Sequence, residues 1–135
     1  MKQAADTLAA GMQVTPNVRL TSPLGAGGMG AVWLADHTGL STRVVAKFML
    51  GGGLDSSTGA RTRFKREAEA ASQVKSPHVV QTFDYGVTTE GVPFIVMEHL
   101  EGRDLAAEIA ARGALDPVTV IAIVSQVAKA LGKAH

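Results

Sequence analysis

Five apolar stretches, each bounded by turn residues, predict five β-strands along the chain. The first three follow one another closely, with a turn at 37–41 between the second and the third, and they predict an antiparallel meander. The last two flank a turn at 88–91. The predicted strands cover 18–24, 31–37, 42–49, 79–87 and 93–100.

A helical period replaces this pattern in three places. The first predicted helix covers 60–74, and the residues on its apolar face are Phe64, Ala68, Ala71 and Val74. The second is predicted over 104–112 and the third from Pro117 onward, where Asp116 is the N-cap and proline occupies the first helical position. Residues 1–16 are alanine-rich and weakly helical, and we expect them to form a leader.

A glycine-rich segment lies between the first two predicted strands, and a single lysine lies in the third. Gly25, Gly27 and Gly30 have the spacing G-x-G-x-x-G, in which a backbone without Cβ atoms can approach phosphate oxygens closely. Lys47 lies in the apolar run 44–48 and can bring an ammonium group to the same phosphates. Two strands around a glycine turn, with a third strand carrying the lysine, therefore predict a phosphate site.

The same glycine spacing occurs in dinucleotide-binding turns, which need a helix directly after the glycines and an acidic residue about 20 positions further on. Here 31–35 is strand-like, and no acidic residue lies between Asp36 and Asp55. A dinucleotide-binding domain is therefore disfavoured.

Composition narrows the classes of function. The net charge of +1 argues against a nucleic-acid partner, and the basic residues of 61–66 are followed directly by Glu67, as on a solvated helix face. The absence of cysteine excludes disulfides and thiolate sites, and the four histidines are scattered without the spacing of a metal site. No apolar run approaches the ~18 residues of a membrane span, and the N-terminus lacks a signal sequence. We expect a cytoplasmic protein. Its 135 residues are enough for one modest domain.

Several segments follow one another in an order and at separations that resemble the eukaryotic-type Ser/Thr protein kinases found in bacteria, from Leu20 onward. They are the loop at 24–32, Lys47, Glu67, 76–80 and 94–102. The resemblance implies an α+β fold. A kinase N-terminal lobe, with a five-stranded antiparallel sheet and helix C, would cover 17–100, and the first two helices of a truncated C-terminal lobe would cover 101–135.

The resemblance also implies an ATP site. Its residues are Leu24, Gly25, Ala26, Gly27, Gly28, Met29, Gly30, Val32, Val45, Lys47, Met97, Glu98 and Leu100. Lys47 would form an ion pair with Glu67 of helix C, because a lysine in an apolar strand needs a carboxylate partner. Met97 would lie behind the adenine, and the Glu98 carbonyl and the Leu100 amide would bind its edge.

The chain departs from the kinase pattern in two respects. Val45 occupies a position where most kinases have alanine, and its two extra methyl groups would narrow the adenine pocket. The chain contains neither H-R-D nor D-F-G, so Mg²⁺ would be held only by the complete kinase. The run 84–86 imitates D-F-G, but we interpret it as a turn at a strand end. Asp104 is better explained as a helix cap than as a ribose ligand.

These features give two hypotheses of function. The first is the ATP-binding portion of a Ser/Thr protein kinase, which passes phosphate from ATP to a protein substrate when complete and is inactive as 135 residues. The second is a non-catalytic module for nucleotide sensing or dimerisation. We also expect self-association through the last helix, which is apolar nearly all round.

Overall fold

The computed structural model describes residues 8–27, 30–49 and 58–135. Six strands and three helices lie in these ranges, in the order β1–β4, α1, β5, β6, α2, α3. Their bounds are β1 Gln13–Thr15, β2 Val18–Gly27, β3 Gly30–His37, β4 Thr42–Phe48, α1 Thr58–Gln73, β5 Thr82–Val87, β6 Pro93–Glu98, α2 Leu105–Arg112 and α3 Pro117–Ala134. The predicted sequence of strands and helices is therefore confirmed, with one strand added.

The strands form one antiparallel sheet with the order β1-β2-β3-β4-β6-β5. The added strand, β1, lies at an edge in the segment predicted to be weakly helical. That helical prediction is wrong here, because Gln13 pairs with Arg19 and its side-chain oxygen accepts from Arg19 Nε at 2.8 Å. Leu8 belongs to the core cluster, and Met12 and Val14 pack against it. Burial of these side chains favours pairing over the helix that alanine content suggested.

Strand β4 shows how the core is formed. Val44, Ala46 and Phe48 are fully buried, whereas Val45 is half-buried and Lys47 is exposed. Since alternate residues of a strand point to opposite faces, one face of β4 belongs to the core and the other does not. The core face continues across the sheet, and its largest fully buried side chains are Phe48, Leu20, Val18, Val44 and Val96.

Helix α1 packs against β5 and β6. Ala68 is fully buried and Phe64 is half-buried, as their shared face predicts, but Ala71 is exposed. The contact is carried by a narrow stripe around Ala68, and the half-buried residue beside it is Glu69.

The helices that follow β6 begin as the sequence predicts. The Asp104 side chain accepts from the Ala107 N–H at 2.7 Å, and the Asp116 side chain accepts from the Thr119 N–H at 3.0 Å. Each carboxylate thus binds a backbone donor that the first turn leaves unpaired. The Asp104 bond supports its role as a cap.

The chain divides into two compact units. One comprises the described residues up to Gln73 together with Gln81–His99, and the other comprises Val74–Val80 and Leu100–His135. The predicted boundary between 17–100 and 101–135 stays a prediction. Within the second unit, neither α2 nor α3 has a buried residue.

Helix α3 is 18 residues long and is the one helix within the described ranges that is long and apolar enough to cross a membrane. Length and composition alone support this, and a core helix of a soluble protein meets the same condition. The expectation that the chain has no membrane segment therefore stays a prediction.

Candidate functional site

The glycine-rich segment forms the hairpin between β2 and β3. Gly27 pairs with Gly30 and Ala26 pairs with Ala31, so the strands continue up to the turn. Gly28 and Met29, which belong to the predicted site, lie outside the described residues. Gly30 has a φ of 146°, a conformation that favours glycine.

The side of this hairpin at Gly25 is open. A Cβ atom placed on Gly25 would meet no atom within 4 Å, and Leu24 beside it is 52% exposed. The hairpin therefore leaves room for a ligand beside its backbone, as a phosphate loop requires.

Lys47 projects from the face of the sheet that the core does not use. Val32 and Ile95 are its direct partners on the two neighbouring strands, and cross-strand partners share a face. Val45 lies two residues before Lys47 and pairs with Met97. We call the face that carries these five residues the lysine face. None of the five is buried.

The lysine face carries four of the predicted site residues, Val32, Val45, Lys47 and Met97. Val32 pairs with Gly25, so the glycine hairpin adjoins this face at one side. Val45 and Met97 lie half-buried at the side nearer the end of β6. A row of small and apolar groups thus connects the hairpin, the lysine and β6.

Glu67 does not form the predicted ion pair with Lys47. Both side chains are exposed, and no ion pair joins them in the part of the chain that the structure describes. Among the α1 side chains that the structure describes, Ala68 is fully buried and Glu69 is half-buried, whereas Glu67 is exposed. The predicted Lys47–Glu67 pair is therefore not formed in this structure, and its role in catalysis stays a prediction.

Glu69 acts electrostatically on Tyr85, which was not among the predicted site residues. Tyr85 pairs with Ile95 and so lies on the lysine face. Burial raises the pKa of the Tyr85 phenol first, and the charge of Glu69 and a hydrogen bond to its carboxylate raise it further. The sequence feature that could have indicated Glu69 is its position directly after Ala68, which lies on the predicted apolar face of the helix.

The end of β6 is held by two hydrogen bonds. The Glu98 N–H donates to the Gln81 carbonyl at 2.9 Å, and the Gln81 N–H donates to Glu98 Oε1 at 2.8 Å. Glu98 is half-buried. Leu100, the other predicted adenine contact of the backbone, belongs to the second unit and is 60% exposed.

The run Asp84-Tyr85-Gly86 lies inside β5 rather than at a strand end, so its interpretation as a turn is wrong. Gly86 pairs with Phe94, and the ladder continues to Val87. No group of three or more His, Asp or Glu side chains among the described residues is placed to hold a metal ion.

In the second unit, Glu108 of α2 binds both Arg103 and Arg112. The hydrogen bonds from these two guanidinium groups lower the pKa of the Glu108 carboxyl. All three groups lie at the surface, so the cluster secures the ends of a short helix and offers no enclosed site.

Comparison with known proteins gives consistent matches. The sequence model of one family, described as the protein kinase domain, matches residues 18–135. Serine/threonine-protein kinase PknE of Mycobacterium tuberculosis is 39% identical over 117 residues, which are 87% of this chain and 20% of that protein. Serine/threonine-protein kinase pkn3 of Myxococcus xanthus is 37% identical over 125 residues, which are 93% of this chain and 23% of that protein.

The fold has a similar match. The crystal structure of the M. tuberculosis PknI kinase domain superposes with a TM-score of 0.82 at 31% identity, and it covers 96% of this chain. The chain spans 51% of that kinase domain and about a fifth of the curated relatives named above.

Proposed function

This chain belongs to the protein kinase family, and we propose that it is the ATP-binding portion of a Ser/Thr protein kinase. The observation that carries the proposal is the lysine face. There an open glycine hairpin, a solvent-accessible lysine and the end of β6 adjoin one another along paired strands. Its named relatives are serine/threonine-protein kinases.

The phosphate side of the proposed site fits a nucleotide. The space beside Gly25 is open, and Lys47 is exposed on the same face as Val32, the partner of Gly25. Backbone N–H groups of the hairpin and the Lys47 ammonium would bind the phosphate oxygens, since hydrogen bonds to charged groups are the strong ones. Their contribution is to hold and orient the phosphates.

The adenine side would lie over Val45 and Met97, which pair directly. Both are half-buried, so they supply apolar area that a purine ring can cover. The Glu98 carbonyl and the Leu100 N–H would bind the edge of the base.

Phosphoryl transfer needs groups beyond these. In kinases, an aspartate receives the proton of the acceptor hydroxyl, and an asparagine and a second aspartate hold Mg²⁺, which neutralises charge on the phosphates. The 135 residues contain neither the H-R-D nor the D-F-G motif that supplies these groups. We therefore propose phosphate transfer to a protein hydroxyl for the complete kinase and no transfer by this chain alone.

One observation favours a second function. Helices α2 and α3 have no buried residue, and Ile121 and Val124 are 65% and 59% exposed. Apolar surface of this kind favours association. A non-catalytic module for nucleotide sensing or dimerisation would use the same chain without any catalytic step.

Nucleotide titration tests the proposal. We expect the chain to bind ATP weakly, and Lys47→Met to weaken binding about tenfold, because it removes a charged hydrogen-bond donor to the phosphates. Lys65→Met is the matched control, since Lys65 is exposed on α1. Absence of ATP binding, or equal effects of the two variants, would contradict the ATP site.

The same proteins test catalysis. Wild type and Lys47→Met should incorporate equal background amounts of γ-phosphate into themselves and into a generic protein substrate. Incorporation by wild type above the variant would show that the 135 residues catalyse transfer, against the proposal.

A further inference from the structure

The ladder between β5 and β6 ends at the pair Thr82 and Met97. Gln81 and Glu98 occupy the next position beyond this pair. A hydrogen-bonded antiparallel pair exchanges two backbone bonds. The first is present, from the Glu98 N–H to the Gln81 carbonyl at 2.9 Å. The second is replaced, because the Gln81 N–H donates to Oε1 of the Glu98 side chain at 2.8 Å.

The replacement concerns a single donor with two candidate acceptors on one residue. A backbone N–H carries one hydrogen, so a carboxylate that accepts it leaves both lone pairs of the main-chain carbonyl of Glu98 available to other donors. An ionised carboxylate competes well for this donor, since charge-assisted hydrogen bonds are stronger than neutral ones. Glu98 is half-buried and Gln81 is exposed, so the bond lies at the surface.

We propose that the Glu98 side chain is a positioning residue for base selection. By accepting the Gln81 N–H, it keeps the Glu98 carbonyl free to accept from the amino group of a purine. This inference rests on the proposed ATP site. It predicts a preference for ATP over inosine triphosphate, whose ring carries a carbonyl oxygen where adenine carries the amino group. The inosine oxygen would face the carbonyl oxygen of Glu98, and two acceptors cannot form a hydrogen bond with each other.

Two substitutions distinguish the role of the Glu98 side-chain oxygen as an acceptor from the role of its negative charge. In Glu98→Ala, the Gln81 N–H loses the carboxylate and turns to the main-chain carbonyl of residue 98, which then competes with the base. Glu98→Gln keeps a side-chain oxygen at the same reach and removes only the charge. Glu101→Ala is the matched control, because it removes an exposed carboxylate three residues further along the chain.

The readout is the ratio of the affinities for ATP and inosine triphosphate, measured by calorimetry on each protein. We expect Glu98→Ala to reduce the preference for ATP roughly fivefold, the effect of about one neutral hydrogen bond. Glu98→Gln and Glu101→Ala should retain most of it. General loosening at the end of β6 would weaken the binding of both nucleotides equally, so an unchanged ratio in Glu98→Ala overturns the proposal.

An NMR measurement tests the hydrogen-bond exchange without any nucleotide. The scalar coupling across the hydrogen bond, from the Gln81 nitrogen to the carbonyl carbon of residue 98, should be absent in wild type and present in Glu98→Ala. A coupling already present in wild type, or absent in both, overturns the proposal. A wild-type chain that binds neither nucleotide contradicts the proposed function and base selection with it. The coupling then still decides which group accepts the Gln81 N–H.

Discussion

Val45→Ala is the sharpest test of the adenine side of the site. Val45 is half-buried on the lysine face, between Leu34 on β3 and Met97 on β6, its two direct cross-strand partners. A ring bound over Met97 would therefore meet the Val45 methyl groups. Kinases resembled by this chain mostly carry alanine here, so we expect the substitution to tighten ATP binding.

The substitution changes two free energies, and only the first of them affects the affinity for ATP. Overpacking by extra methyl groups typically costs about 1–3 kcal/mol, and its relief on a half-buried side chain should reach the lower part of that range. A gain of about 1 kcal/mol corresponds to roughly fivefold tighter binding. Removing two half-buried methyl groups also destabilises the fold by about 1 kcal/mol. That cost falls on the free and bound protein alike and leaves the affinity unchanged while the chain stays folded.

Calorimetry with ATP, together with thermal unfolding, measures both terms. Val87→Ala is the matched control, because Val87 is a 57% exposed valine on β5 and its truncation should leave ATP affinity unchanged. Unchanged or weaker binding by Val45→Ala would refute the reasoning, provided that Lys47→Ala still weakens binding. The adenine would then lie elsewhere than over the Val45–Met97 pair.

Two further predictions concern α3. Hydrogen bonds from Thr119 lower the pKa of the Asp116 carboxyl. A carboxyl with a lowered folded-state pKa stabilises the protein above its unfolded value and loses this contribution as pH falls through the folded value. Below about pH 4, the helical circular dichroism of wild type should therefore fall further than that of Asp116→Asn, and parallel curves would contradict the cap's role. For self-association, we expect an assembly by light scattering at roughly tens of micromolar. Joint replacement of Ile121 and Val124 by glutamate should dissociate it, whereas Gln126→Glu should not. A wild-type monomer at that concentration would contradict the association.

Strands could be predicted from sequence where turn residues bound an apolar run. The prediction failed at β1, which has three residues and lies in an alanine-rich segment. Its strand conformation depends on pairing with β2 and on burial of Leu8 and packing of Val14, contacts that a local pattern does not contain. Tertiary packing commonly overrides weak helix propensity in this way.

The lysine face could be predicted in part. The period of two places Val45 and Lys47 on one face of β4, and the structure confirms this alternation. Which side chains on β3 and β6 lie beside them depends on register. Ile95 and Gln81 were not among the predicted site residues for this reason. In the structure, Ile95 adjoins the site because it pairs with Lys47, and Gln81 adjoins it because its N–H binds the Glu98 side chain.

The sequence does not determine which face of α1 lies against the sheet. A helical wheel separates Glu67 and Glu69 by about 200°, so at most one of them can face the sheet. The apolar stripe alone would decide which, but its fully buried residue is Ala68, whose side chain supplies little area. Burial, and after it the charge of Glu69, raises the pKa of the Tyr85 phenol on β5, whereas Glu67 and Lys47 are both exposed. The acid that lies nearer the sheet is therefore Glu69, and this depends on packing between α1 and β5 that a local sequence pattern does not contain.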